Sequence, residues 1–93
     1  DLPETFATPE LRVDCPDEEK FGIVAQAATH FAARYPVQTI DGVRITYPDG
    51  WGLVRASNTQ PILVLRFEGA TPAARDAHHA EMTAWLRTQG IGV

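Results

Sequence analysis

Apolar residues recur along this chain with two different periods, and the period changes from one segment to the next. Residues Glu10 to Asp14 (Glu-Leu-Arg-Val-Asp) alternate, which predicts a short strand. Phe21, Val24, Ala25, Ala28, Phe31, Ala32 and Tyr35 then follow at helical spacing and make one apolar stripe. Pro16 and the acidic run Asp17-Glu18-Glu19 suit the first turn of that helix. A proline there gives up an N–H that has no helical partner, and carboxylates favour the positive end of the helix dipole. Pro36 is expected to end the helix.

The middle of the chain reads as β-structure. Asp41-Gly42 lies between Thr39-Ile40 and Val43-Arg44-Ile45, a sequence for a tight hairpin in which both turn residues take positive φ. Val43, Ile45 and Tyr47 share one face of the next strand, and Pro48-Asp49-Gly50 turns the chain again. Trp51 to Arg55 is the third strand, with Gly52 marking a bulge or a close approach. Ile62 to Phe67 is almost continuously apolar and predicts a central strand buried on both faces. Thr71-Pro72 reads as a cap and first turn of a second helix, ended by Gly90 after Thr88 or Gln89. Its inward face is expected to carry Ala74, His78, Met82, Trp85 and Leu86. The expected class is α+β: a four- to five-stranded antiparallel sheet with two helices on one face. Residues 1–9, with two prolines and no period, read as an entry linker, and residues 10–93 as one domain.

Composition narrows the function classes. With 93 residues, 44% hydrophobic and 22% charged, the chain matches one globular domain. A net charge of −4 opposes general nucleic-acid binding, which needs a basic stripe to displace counterions. Cys15 stands alone, so an internal disulfide is excluded and a reducing cytoplasm is the expected location. No run of about 18 apolar residues is present to span a membrane. The first residues show no secretory leader, and the absence of an initiator Met leads us to expect a fragment or a processed product.

Candidate chemistry concentrates in one loop, Arg55-Ala56-Ser57-Asn58-Thr59-Gln60-Pro61. Arg55 offers a planar fork that matches two phosphate oxygens. Ser57 and Thr59 add hydroxyls, Asn58 adds an amide, and no carboxylate interrupts the run. Backbone N–H groups of a tight loop can add an anion nest. The same residues are also ordinary for a polar hairpin loop in which Arg55 pairs a surface carboxylate. Elsewhere the signals favour packing. His78 and His79 point about 100° apart on a helix and do not converge on a metal. Tyr47, Trp51 and Trp85 read as core aromatics. No nucleophile–base pair and no glycine-rich nucleotide loop is legible.

The segment from Asp41 to Glu68 (DGVRITYPDGWGLVRASNTQPILVLRFE) closely resembles the C-terminal domain of bacterial phosphomannomutase/phosphoglucomutase, in the α-D-phosphohexomutase superfamily. Thr8-Pro9-Glu10 and Lys20-Phe21 extend the resemblance over nearly the whole chain. It implies a fold like the TATA-box-binding protein and a place as the last of four domains. It also implies a whole enzyme that interconverts hexose 1-phosphate and 6-phosphate through a bisphosphate. The phosphoserine and Mg2+ of that chemistry belong to the three preceding domains, so this domain alone is expected to be inactive and without a cofactor. Its partners would be the phosphosugar and those three domains, with no nucleic acid and no membrane. Arg55, Ser57, Asn58 and Thr59 match the family's loop for the non-reacting phosphate, whereas Gln60 occupies a variable position. The Ser-Asn-Thr core resembles the phosphomannomutase/phosphoglucomutase branch more than phosphoglucosamine mutases, which carry Ser-Gly-Thr and a Glu before the proline. The alternative is a non-catalytic interaction module on a similar fold.

Overall fold

A computed structural model describes residues 5–93. In chain order the elements are β1 (Phe6–Ala7), β2 (Leu11–Asp14), α1 (Asp17–Ala32), β3 (Val37–Gln38), β4 (Val43–Tyr47), β5 (Gly50–Ala56), β6 (Ile62–Gly69) and α2 (Pro72–Thr88). The strands form one antiparallel sheet in the order β1-β6-β5-β4-β3, and β2 pairs the same edge of β6 as β1. Both helices pack on one face, so the α+β architecture is as the sequence predicts.

Six strands appear where four or five are expected, because two pairs of residues add short edges to the sheet. Phe6 and Ala7 pair with Gly69 and Glu68, so this part of the presumed linker belongs to the sheet. Residues 1–4 of that linker lie outside the described residues. Thr8 carries the chain from β1 to β2: its N–H donates to the Phe67 carbonyl, and its Oγ1 accepts from the Phe67 N–H. At the other edge, β3 is Val37–Gln38 and not Thr39-Ile40, which fall in the turn, with Ile40 90% exposed. Asp41 and Gly42 take φ of 54° and 101°, the left-handed conformations expected of Asp-Gly.

Alternation decides the faces of the central strands. Val43, Ile45 and Tyr47, Val54 and Ala56, and Leu63, Leu65 and Phe67 are buried under the helices. Gly52 marks a close approach and not a bulge: its register is unbroken, and a Cβ there would lie 2.9 Å from the Phe67 ring. The opposite face of β6 corrects the expectation of burial on both sides. Val64 is buried, but Ile62 and Glu68 are half-buried and Arg66 is exposed, because the helices cover only one face.

The apolar stripe of α1 also needs correction. The buried residues are Lys20, Ile23, Ala27 and Phe31, while Phe21 is exposed, as are Ala25 and Ala32. The inward face is rotated by roughly one residue, or about 100°. Alanines mark a stripe weakly, and Lys20 turns inward because acceptors await its ammonium. The α2 face is as read: Ala74, Met82, Trp85 and Leu86 are buried and His78 is half-buried. Thr71 Oγ1 caps α2 by accepting from the Ala74 N–H.

Candidate phosphate-binding site

The chain between β5 and β6 is a short connection from Ser57 to Pro61 at the end of the sheet's central hairpin. Arg55 lies on the last turn of the β5 ladder, opposite Val64, and its side chain belongs to the helix-free face. Arg55 and Ser57 are half-buried, and Asn58, Thr59 and Gln60 are exposed. The structure therefore gathers all four sequence-predicted residues at one rim.

Local hydrogen bonds give this rim a fixed shape. The Ser57 N–H donates to the Ile62 carbonyl, and the Ile62 N–H to the Gln60 carbonyl. Ser57 Oγ accepts from the Thr59 N–H at 3.3 Å and from the Gln60 N–H at 3.2 Å. Two consequences follow. The Thr59 and Gln60 N–H groups point into the loop, so the anion nest expected from the backbone is reduced to Asn58. Both lone pairs of Ser57 Oγ are occupied, so its remaining capacity is the O–H, a donor. The rim thus offers the Arg55 guanidinium, the Ser57 hydroxyl, the Asn58 amide and the Thr59 hydroxyl, all able to donate to phosphate oxygens. Bonds from Arg to such an anion are charge-assisted and the strongest of the set.

Sequence reasoning missed Lys20. Its side chain is 5% exposed, and its Nζ donates to Asp17 Oδ1 at 2.9 Å and to the Gln60 carbonyl at 3.0 Å. A strand-like contact adds to this tie, as the Cys15 N–H donates to the Pro61 carbonyl. The start of α1 is therefore fastened to the exit of the loop. The signal available in the sequence is a lysine in phase with Ile23, Ala27 and Phe31. The Cys15 thiol beside this junction is buried, and that burial, with the Glu19 carboxylate, pushes its pKa up and keeps it protonated.

The remaining candidates pack. Trp85 and Tyr47 are in the core, while Trp51 is half-buried on the helix-free face and donates from Nε1 to Glu68. His78 stacks on Tyr47 and contacts Asp49 Oδ1 at 2.6 Å. Among the described residues no group of three or more His, Cys, Asp or Glu is placed to hold a metal ion. A hollow of about 500 Å³ lies between the helices along Ala25, Gln26, Thr29, His30, Trp85 and Gln89. It holds no arginine or lysine, so a phosphate has no counter-charge there, and the loop is the better candidate.

The class is an α+β domain in which a helix-backed antiparallel sheet carries a donor-lined hairpin rim. The family model described as phosphoglucomutase/phosphomannomutase, C-terminal domain, matches residues 10–84, and the chain belongs to that family as its C-terminal domain. A phosphomannomutase/phosphoglucomutase of Pseudomonas putida is 50% identical over 93 residues, covering 99% of this chain and 19% of the relative. A phosphoglucomutase of Neisseria gonorrhoeae is 47% identical over 76 residues, covering 78% of this chain and 16% of the relative. The crystal structure of a phosphoglucomutase/phosphomannomutase family protein from Burkholderia thailandensis superposes with a TM-score of 0.66 at 34% identity. That match covers 94% of this chain and 18% of the other. The chain thus spans about a fifth of the length of these relatives.

Proposed function

We propose that this chain is the phosphate-gripping domain of a cytoplasmic phosphohexomutase that interconverts hexose 1-phosphate and 6-phosphate. Arg55, Ser57, Asn58 and Thr59 hold the phosphate that is not reacting, in the substrate and in the bisphosphate intermediate. Phosphoryl transfer, with its phosphoserine and Mg2+, belongs to the three preceding domains. The observation that carries this reading is Ser57, whose Oγ accepts two N–H groups inside the loop, which leaves its O–H as the group available to donate.

The role follows from the ligand's symmetry. A phosphate presents the same oxygens whether it hangs from C1 or C6. A rim that reads only those oxygens accepts the intermediate in either orientation, and its contribution is positioning. Held on a separate domain, the phosphate can draw that domain over the cleft and exclude water, which competes for the phosphoryl group.

Titration of the chain with glucose 1-phosphate, followed by backbone amide shifts, tests this. Residues 55–59 should move, with an affinity on the order of millimolar, since one wall of a site supplies about −4 kcal/mol. Arg55→Ala should abolish the movement. Saturating ligand that leaves these amides in place would sink the reading. Binding of a protein or an oligonucleotide without sugar phosphate would favour an interaction module.

A further inference from the structure

The helix-free sheet face carries a charge pattern that differs from the rest of the molecule. The chain has 8 Lys and Arg residues against 12 Asp and Glu. Four of the cations are paired: Arg12 with Glu10, Lys20 with Asp17, Arg34 with Glu81 and Arg75 with Asp76. Arg87 donates to the Val93 carbonyl. The three that have no such partner among the described residues are Arg44, Arg55 and Arg66, and the register puts all three on this face.

Leu53 of β5 pairs with Arg44 on β4 and with Arg66 on β6. Arg55, two residues on, is therefore the diagonal neighbour of both, at about 7–8 Å. Arg44 and Arg66 are exposed, and Arg55 is half-buried between them. The Arg44 guanidinium is held 4.7 Å from the Trp51 ring centroid, over its face. Trp51 in turn donates to Glu68 at 2.8 Å, which orients that carboxylate and leaves its charge on the face. Asp14, the other strand carboxylate on this face, lies across from Ile62 on the edge strand β2.

We propose that Arg44 and Arg66 form, with Arg55, an anion-gathering face that draws doubly charged phosphoryl ligands onto the loop. They act through their field and not by contact. The inference rests on the phosphate-binding reading of the loop. A separation of about 7–8 Å is within one screening length at physiological salt, about 8 Å, and beyond it at 1 M, about 3 Å. An acidic molecule otherwise repels such ligands, and a local positive field of this kind raises their concentration at the site.

Charge-removing variants Arg44→Gln and Arg66→Gln test the proposal, with thermal unfolding first confirming that they fold. The ligand is glucose 1-phosphate, read by amide shifts at residues 55–59. Each variant should weaken binding roughly three- to six-fold at low ionic strength, as expected for one unit charge acting on a dianion in water. The difference should vanish near 1 M salt. Arg44→Lys should restore binding, since it returns the charge. Arg55→Gln should lose binding at both salt levels, since it removes a contact. A loss in Arg44→Gln that persists at high salt would replace the field with direct contact and overturn the proposal. Unchanged affinity at low salt would also overturn it, and leave the loop reading standing. A wild-type chain whose loop amides do not move would remove both. Tighter binding of a single-stranded oligonucleotide than of glucose 1-phosphate, lost in the same variants, would reassign the face to nucleic acid.

Discussion

Tyr47 packs its ring under α2 and leaves its hydroxyl buried without a hydrogen-bond partner among the described residues. The ring stacks flat on His78 and meets Tyr35 edge to face at 4.7 Å. Burial, and then the Glu81 carboxylate, push the Tyr47 phenol well above its usual value. Below about pH 10 the phenol is neutral in both the folded and the unfolded chain. Above it the unfolded chain ionises first, so stability falls as pH rises towards the folded value. Tyr47→Phe should therefore stabilise the protein by about 1 kcal/mol at pH 7, because it removes an unsatisfied buried group. It should also lessen the decline above about pH 10. Urea unfolding at the two pH values checks both expectations, and a weaker variant at pH 7 would mean that the hydroxyl has a partner.

At the scale of elements, the structure turns on how α1 meets the β5–β6 loop. Lys20→Met keeps the stem and removes the two bonds from Nζ to Asp17 and the Gln60 carbonyl. The expected cost is about 1–3 kcal/mol, as for hydrogen bonds to a charged group. Hydrogen exchange at the Thr59 and Gln60 amides should quicken more than global unfolding explains, since the loop loses its tie to the helix. Equal protection in both proteins would mean that the Ser57 bonds suffice alone. Elements whose signal is local were legible in the sequence. Asp41-Gly42 specifies its own turn by its allowed φ, and Thr71-Pro72 its own cap. The donors from Arg55 to Thr59 were visible because they are contiguous. Val37–Gln38 and Phe6–Ala7 were not, because two residues carry no period and are strands only through their neighbours. The link from Lys20 to Gln60 crosses 40 residues, and no local pattern encodes it. The inward face of α1 was misplaced for a related reason: a buried lysine is favourable only when acceptors from elsewhere meet it.

Across the whole molecule, the sheet closes its β6 edge with the first described residues. Thr8 exchanges two hydrogen bonds with Phe67, and Phe6 and Ala7 pair with Gly69 and Glu68. A chain beginning at Glu10 should keep the fold but lose roughly 1–2 kcal/mol, about the net worth of those few bonds. A lower urea midpoint with an unchanged far-ultraviolet spectrum would establish that the domain begins before residue 10. Identical midpoints would return residues 5–9 to the status of a linker.

The two bonds that Ser57 Oγ accepts from Thr59 and Gln60 bear on how this rim, in the proposed phosphate role, would read a ligand's protons. With its lone pairs already taken, that oxygen has nothing to offer an incoming O–H. A phosphate that has shed its second proton, which it does near pH 6, brings only acceptors and finds donors waiting. A singly protonated phosphate brings one hydroxyl too many. If the loop takes phosphate as proposed, Ser57 would favour the dianion over the monoanion, and the Asn58 and Thr59 oxygens, which can also accept, would set the limit of that preference.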